Sequence, residues 1–127
     1  MQKSLKSGSQ DLRQVWFPGK HDFVGGGTEK HRGLSDAALL WMMNEASNFG
    51  LEFDQIGVED GIHPDHTINF DNEPDIFYQL TGKLLRNITG SFDDLHESVK
   101  NRWRERKDYR PENLRKFQDS LEAYSKQ

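Results

Sequence analysis

Cysteine is absent from all 127 residues, so neither disulfide frameworks nor thiolate chemistry are open to this chain. Apolar residues are few, 33% against 30% charged, and the mean hydropathy is -0.92. A chain this short and polar suits one modest domain, with a thin core or with some of its buried surface belonging to something else. No apolar run approaches the roughly 20 residues of a membrane-spanning helix. The opening residues, MQKSLKSGSQ, lack the apolar stretch of a secretory signal. A cytoplasmic protein without a membrane span is therefore expected. Residues 1–10, rich in Lys, Ser and Gly, read as a disordered lead-in to a single domain over residues 11–127.

A strong excess of one charge is also lacking, since the net charge is -4. Its distribution is uneven: +3 over residues 1–20, -11 over residues 21–99 and +4 over residues 100–127. The basic tail mixes Trp103 and Tyr109 with arginines, a combination that suits nucleic acid. Opposite charges three or four apart, such as Arg102 and Glu105, describe instead a solvated helix. The acidic remainder repels phosphate backbones, and no nucleic-acid partner is expected.

What the sequence does hold begins with QVWFPGKHDFVGGG at residues 14–27. Val15, Trp16 and Phe17 are consecutive large apolar residues, as in a strand buried on both faces of a largely parallel sheet. Pro18-Gly19 ends that strand. A glycine-rich loop carrying His21 follows, costly to order because each glycine loses much backbone freedom on folding.

Beyond the loop the spacing predicts a helix from Asp36 to about Asn48. Ser35 is its N-cap and Gly50 its terminator. Ala38, Leu39, Met42, Met43, Ala46 and Phe49 form its buried stripe, with Leu39, Met42 and Met43 turned inward. Residues 51–75 hold eight acidic and no basic residues and read as an irregular solvent-facing segment with a second short strand at Thr67–Phe70. A second helix follows Pro74, with Ile76, Phe77, Leu80, Leu84 and Ile88 in register and Gly90 after it. A third, from about Asp94 to Arg106, buries Leu95, Val99 and Trp103. A fourth starts at Pro111 and presents Leu114, Phe117, Leu121 and Tyr124.

His63 and His66 stand among carboxylates, but no third ligand is fixed by their spacing, and a polar loop is the expectation. The acidic stretch lacks a calcium-loop register. Gly25, Gly26 and Gly27 match neither a dinucleotide fingerprint nor a phosphate loop. No metal and no cofactor are expected.

Two motifs carry a resemblance. QVWFPGKHDFVGGG, continued by GLSDAALLWMMNEA and GLEFD, resembles the C-terminal part of the α/β-hydrolase-like catalytic domain of type VI secretion phospholipase effectors, a domain also found in bacterial and fungal proteins of unknown role. The match runs through Val15, Trp16, Phe17, Gly19, His21, Gly25, Gly26, Gly27, Leu34, Ser35, Leu39, Trp41 and Met42. LHESVKNRWRERKDYRPENL resembles a second family segment in the expected order, so the likeness covers residues 12 to about 115. It implies an α/β fold, here one or two strands followed by about four helices. It implies further that His21 is the catalytic general base, because in such hydrolases the histidine follows the nucleophile and the acid along the chain. Gly19, Asp22, Gly25, Gly26 and Gly27 would shape the loop around it.

Two departures limit the chemistry. Where the family has an aspartate two places after the histidine, this chain has Phe23, with Asp22 one place early. No G-x-S-x-G occurs in the 127 residues, and a base without a nucleophile does not hydrolyse esters. The leading expectation is the C-terminal portion of a lipase- or esterase-type serine hydrolase, inactive alone. The partner implied is an upstream-encoded hydrolase fragment or a second copy, with a lipid or ester substrate only once the site is completed. The alternatives are a subunit lending His21 to an active site in trans and a non-catalytic interaction module.

Overall fold

The computed structural model describes residues 12–26, 29–53, 61–69 and 86–127, and among these described residues helices and turns account for the regular structure. The expected lead-in, Gly27, the Asp22 side chain and the helical positions Ile76, Phe77, Leu80 and Leu84 lie outside the described residues. A one-turn helix α1, His21–Val24, is followed by a 3₁₀ turn at Glu29–His31 and by α2, Arg32–Asn48. A second 3₁₀ turn, Phe92–Asp94, precedes α3, Glu97–Glu105. A third, Glu112–Phe117, runs into α4, Gln118–Ser125.

The expected α/β architecture is overturned. Among the described residues there is no strand. Residues 12–17 form no regular element and, among the described residues, make one parallel bridge, Trp16 with Leu95. The Trp16 N–H donates to the Asp94 carbonyl (2.8 Å), and the Trp16 carbonyl accepts from the His96 N–H (2.9 Å). The ladder cannot lengthen, for reasons on both sides. Pro18 has no N–H to give, and Gly19 turns away at φ +128°. The partner stretch, Leu95 and His96, is pinched between a 3₁₀ turn and α3. Thr67 to Asn69, the described part of the second expected strand, is not a strand either.

The burial that Val15-Trp16-Phe17 requires is met without a sheet. Trp16 packs against the C-terminal core, and its indole N–H donates to the Thr89 carbonyl (3.2 Å). Phe17 lies edge-on to Trp41 of α2, centroids 6.0 Å apart, and against the His96 ring at 4.3 Å. The N-terminal segment thus joins α2 to the C-terminal helices.

That C-terminal core is the one the apolar spacing foretold. Leu95, Val99 and Trp103 are buried together with Leu114, Phe117 and Leu121, joined by Ile88 and Tyr109. Tyr124 on α4 donates its hydroxyl proton to Asn101 on α3 (2.7 Å). The boundaries differ by a few residues. Leu95 and His96 are extended, so α3 begins only at Glu97, and Pro111 caps a 3₁₀ turn before α4.

Helix α2 departs further. It begins at Arg32, four residues before the expected start, and Ser35 sits inside its first turn with its hydroxyl donating to the Arg32 carbonyl (2.9 Å). Its far end matches expectation. Gly50, at φ +91°, donates to the Ser47 carbonyl while Leu51 donates to that of Ala46, the paired bonds of a Schellman stop. The buried side carries Gly33, Leu34, Asp36 and Ala37. Leu39 and Met42, expected inward, are exposed, and Met43 is half-buried.

Candidate functional site

His21, the expected general base, opens α1. Lys20 is extended (ψ 162°), and the Gly25 N–H closes the single turn on the His21 carbonyl (2.9 Å). The imidazole is exposed, and among the described residues no serine and no carboxylate is hydrogen-bonded to it. The loop around it is tightly specified at some glycines and loosely at others. At Gly19 a Cβ would stand 3.0 Å from Val24 Cγ2, at a backbone φ of +128° that L side chains rarely adopt. Gly26 has a comparable φ of +138° but open space around it. Gly25 has an ordinary φ of -86°, but a Cβ there would stand 3.0 Å from the His21 carbonyl oxygen.

Phe23, which stands where the resembling family has an aspartate, stacks face-on over His31 with centroids 3.8 Å apart. The Lys20 ammonium lies 5.9 Å from the same ring. An aromatic stack thus stands at position 23.

His96 and His66 make polar pairings of their own, although from sequence His66 is weighed only with His63 as a metal pair. His96 is the N-cap of α3. Its Nδ1 accepts from the Ser98 N–H (3.1 Å) and meets the Ser98 hydroxyl at 2.8 Å. Because the backbone N–H donates to Nδ1, the ring proton lies on Nε2. Burial holds the His96 pKa below the ordinary imidazole value, with nearby Lys100 adding to the effect and Glu97 opposing it. Serine and histidine do meet here, but Ser98 is buried and its hydroxyl is turned into the cap. This is a helix start, not an exposed nucleophile.

His66 pairs through Nε2 with Oε2 of Glu105 at 2.6 Å. That bond, first among the causes, lowers the Glu105 pKa. Behind it, residues 61–69 are tied down mainly through their backbone. Arg102, 1% exposed, donates through Nη1 to the carbonyls of His66 (2.7 Å) and Ile68 (2.6 Å). Arg106 donates to the Thr67 carbonyl (3.0 Å) and the Asn69 side chain (3.1 Å). The buried Asp36 accepts from the His63 N–H (2.9 Å), and Arg32 donates to the Gly61 carbonyl. Asp65 folds back on Thr67 through backbone and side-chain bonds, which hold its pKa down.

Arg102, read from sequence as one half of a solvated ion pair, is thus the buried pin of this loop. Its guanidinium lies 4.9 Å from the ring of Tyr109, whose hydroxyl pKa is raised by burial to about 12. Such a role leaves no trace in local sequence, because its partners are backbone carbonyls more than thirty positions away. Among the described residues no group of three or more histidine or carboxylate side chains could hold a metal ion. None of their helices is long and apolar enough to cross a membrane.

Comparison with known proteins adds two findings. Residues 1–45 match the family described as "T6SS, Phospholipase effector Tle1-like, catalytic domain". That stretch contains the Trp16–Phe17 segment, the His21 loop and most of α2. The chain is also 41% identical over 54 residues to the uncharacterized protein YEL023C of Saccharomyces cerevisiae, a match covering 39% of this chain and 8% of the yeast protein. The chain thus spans less than a tenth of the relative it matches. No solved structure gives a significant match.

Proposed function

We propose that this chain is the C-terminal portion of a phospholipase-effector-like serine hydrolase domain, that His21 holds the general-base position, and that the chain alone does not hydrolyse esters. The observation that carries the reading is the coincidence of two facts at one loop. Residues 1–45 match the phospholipase effector family, and the histidine within that match is exposed, with no serine or carboxylate bonded to it among the described residues. A general base acts only within hydrogen-bond reach of the proton it takes, and a triad needs nucleophile and orienting acid as well. The absence of G-x-S-x-G from the sequence supports the same reading.

The exposure of His21 favours one second reading, in which a partner chain carrying the serine docks over the loop and borrows the imidazole. A lipid or ester would be the substrate of that completed site. The experiment is hydrolysis of p-nitrophenyl esters and of phospholipid vesicles by the purified chain. No turnover is expected. Hydrolysis that vanishes in His21→Ala would overturn the inactive-portion reading by revealing a complete site.

A further inference from the structure

Among the described residues, one side of helix α2 carries exposed apolar side chains. Opposite its buried side lie Leu39, Met42 and Phe49, exposed by 48%, 61% and 72%. Their spacing of three and seven places them in one stripe along the helix, with Ala46 between the last two. Scattered apolar residues on a surface are ordinary, but a continuous stripe at helical spacing marks a contact.

We propose that this stripe pairs with the same stripe of a second copy of the chain, the two α2 helices running antiparallel about a two-fold axis at Met42. Three features on the helix select that occupant and that direction. The ends carry opposite charge. Arg32 stands exposed at the start of α2 and Glu52 just beyond its end. An antiparallel pair sets Arg32 of one copy beside Glu52 of the other, whereas a parallel pair stacks like charges. The helix dipoles oppose each other favourably in the same arrangement. Side-chain sizes are complementary about the same axis. Phe49 comes to lie over Ser35 and Leu39 near Ala46, large against small, which is what interdigitation requires. A self-complementary patch of this kind closes as a dimer and does not propagate. The inference is independent of any hydrolytic role for His21.

Sedimentation of the whole chain across a range of concentrations tests the association. A mass approaching twice 14.8 kDa is expected as concentration rises. Met42→Asp, on an already exposed position, should keep the chain monomeric with an unchanged helical circular dichroism spectrum. Because the chain has no cysteine, single replacements report the geometry without background. Under oxidation Met42→Cys should cross-link to itself, since a disulfide needs Cα atoms within about 7 Å. Phe49→Cys should fail to do so but should cross-link to Ser35→Cys when the two variants are mixed. A chain that stays monomeric at the highest attainable concentration overturns the proposal. So does a dimer unaffected by Met42→Asp, and so does equal self-linking at every position, the mark of a parallel pair.

Discussion

Trp16 and Leu95 pair as a single parallel bridge, and through it the glycine-histidine loop is tethered to the C-terminal core. The backbone of Trp16 uses both its donor and its acceptor on residues flanking Leu95, while its indole reaches the Thr89 carbonyl. The segment expected to lie within a parallel sheet is held instead by contacts with Asp94, His96 and Thr89.

Replacing Trp16 by Ala should therefore destabilise the whole protein. Full truncation of a core tryptophan costs about 3–5 kcal/mol, and Trp16 is half-buried, so roughly 2 kcal/mol is expected from urea denaturation. Trp16→Phe, which keeps most of the packing and loses the indole bond, should cost less. The amide protons of Trp16 and His96 should exchange slowly in the wild-type chain.

Stability should fall on acidification because of His96. Its folded pKa lies below the unfolded value of about 6.5, since burial disfavours the charged ring and Nδ1 must stay free of a proton to cap α3. The unfolded state then binds the proton more readily. The contribution is full above about pH 6.5 and is lost as pH drops from there through the lower folded pKa. Asparagine caps without titrating in this range. Denaturant midpoints measured from pH 8 to pH 5 (an interval of about 3 units around the reference value) should vary less in His96→Asn than in the wild type.

The helical core was legible because apolar spacing and burial agree along α3 and α4. Leu95, Val99, Trp103, Leu114, Phe117 and Leu121 each lie where their period put them. The strand was misread because three consecutive large apolar residues state only that cover is needed, not what supplies it. Trp41, His96 and the core around Leu95 supply it here. Leu39 and Met42 were misplaced for a related reason. A helix apolar on most of its circumference shows which positions want partners, and not which of them its own chain covers. Near the candidate site, the break read at Pro18-Gly19 agrees with the positive φ of Gly19. The pairing of His66 and the burial of Arg102 rest on contacts formed only in three dimensions, whereas the His96 cap is local and was hidden because the third helix was expected to begin at about Asp94.

The three loop glycines should separate by cost when changed to alanine. Gly19→Ala combines a strained φ with a Cβ pressed on Val24 and should lose the most, about 1–3 kcal/mol from backbone strain with the packing penalty added. Gly26→Ala carries the strain without the clash and should lose less. Gly25→Ala, at an ordinary φ but with its Cβ 3.0 Å from the His21 carbonyl oxygen, should also lose less than Gly19→Ala. Thermal unfolding of the three variants tests the ranking, and a Gly25 variant worse than the Gly19 variant would contradict this view of the loop.

Arg102→Met should release residues 61–69. The carbonyls of His66 and Ile68 would lose a charged donor, and hydrogen bonds to charged groups are worth about 1.5–3 kcal/mol each. A loss of at least about 2 kcal/mol is expected, with faster limited proteolysis between His63 and Asn69. Arg102→Lys keeps the charge but not the planar fork and should fall between.

The division of contacts along the chain also sets the order of folding. The core of α3 and α4 draws on residues near one another in sequence, so its loops close at little entropic cost. The Trp16 indole and its Thr89 partner stand 73 positions apart, and that tether forms only after a long stretch of chain has been gathered. The C-terminal helices should assemble first and the histidine loop dock last. In unfolding the loop leaves first, so in kinetic experiments Trp16 variants should mainly accelerate unfolding and leave the folding rate almost unchanged.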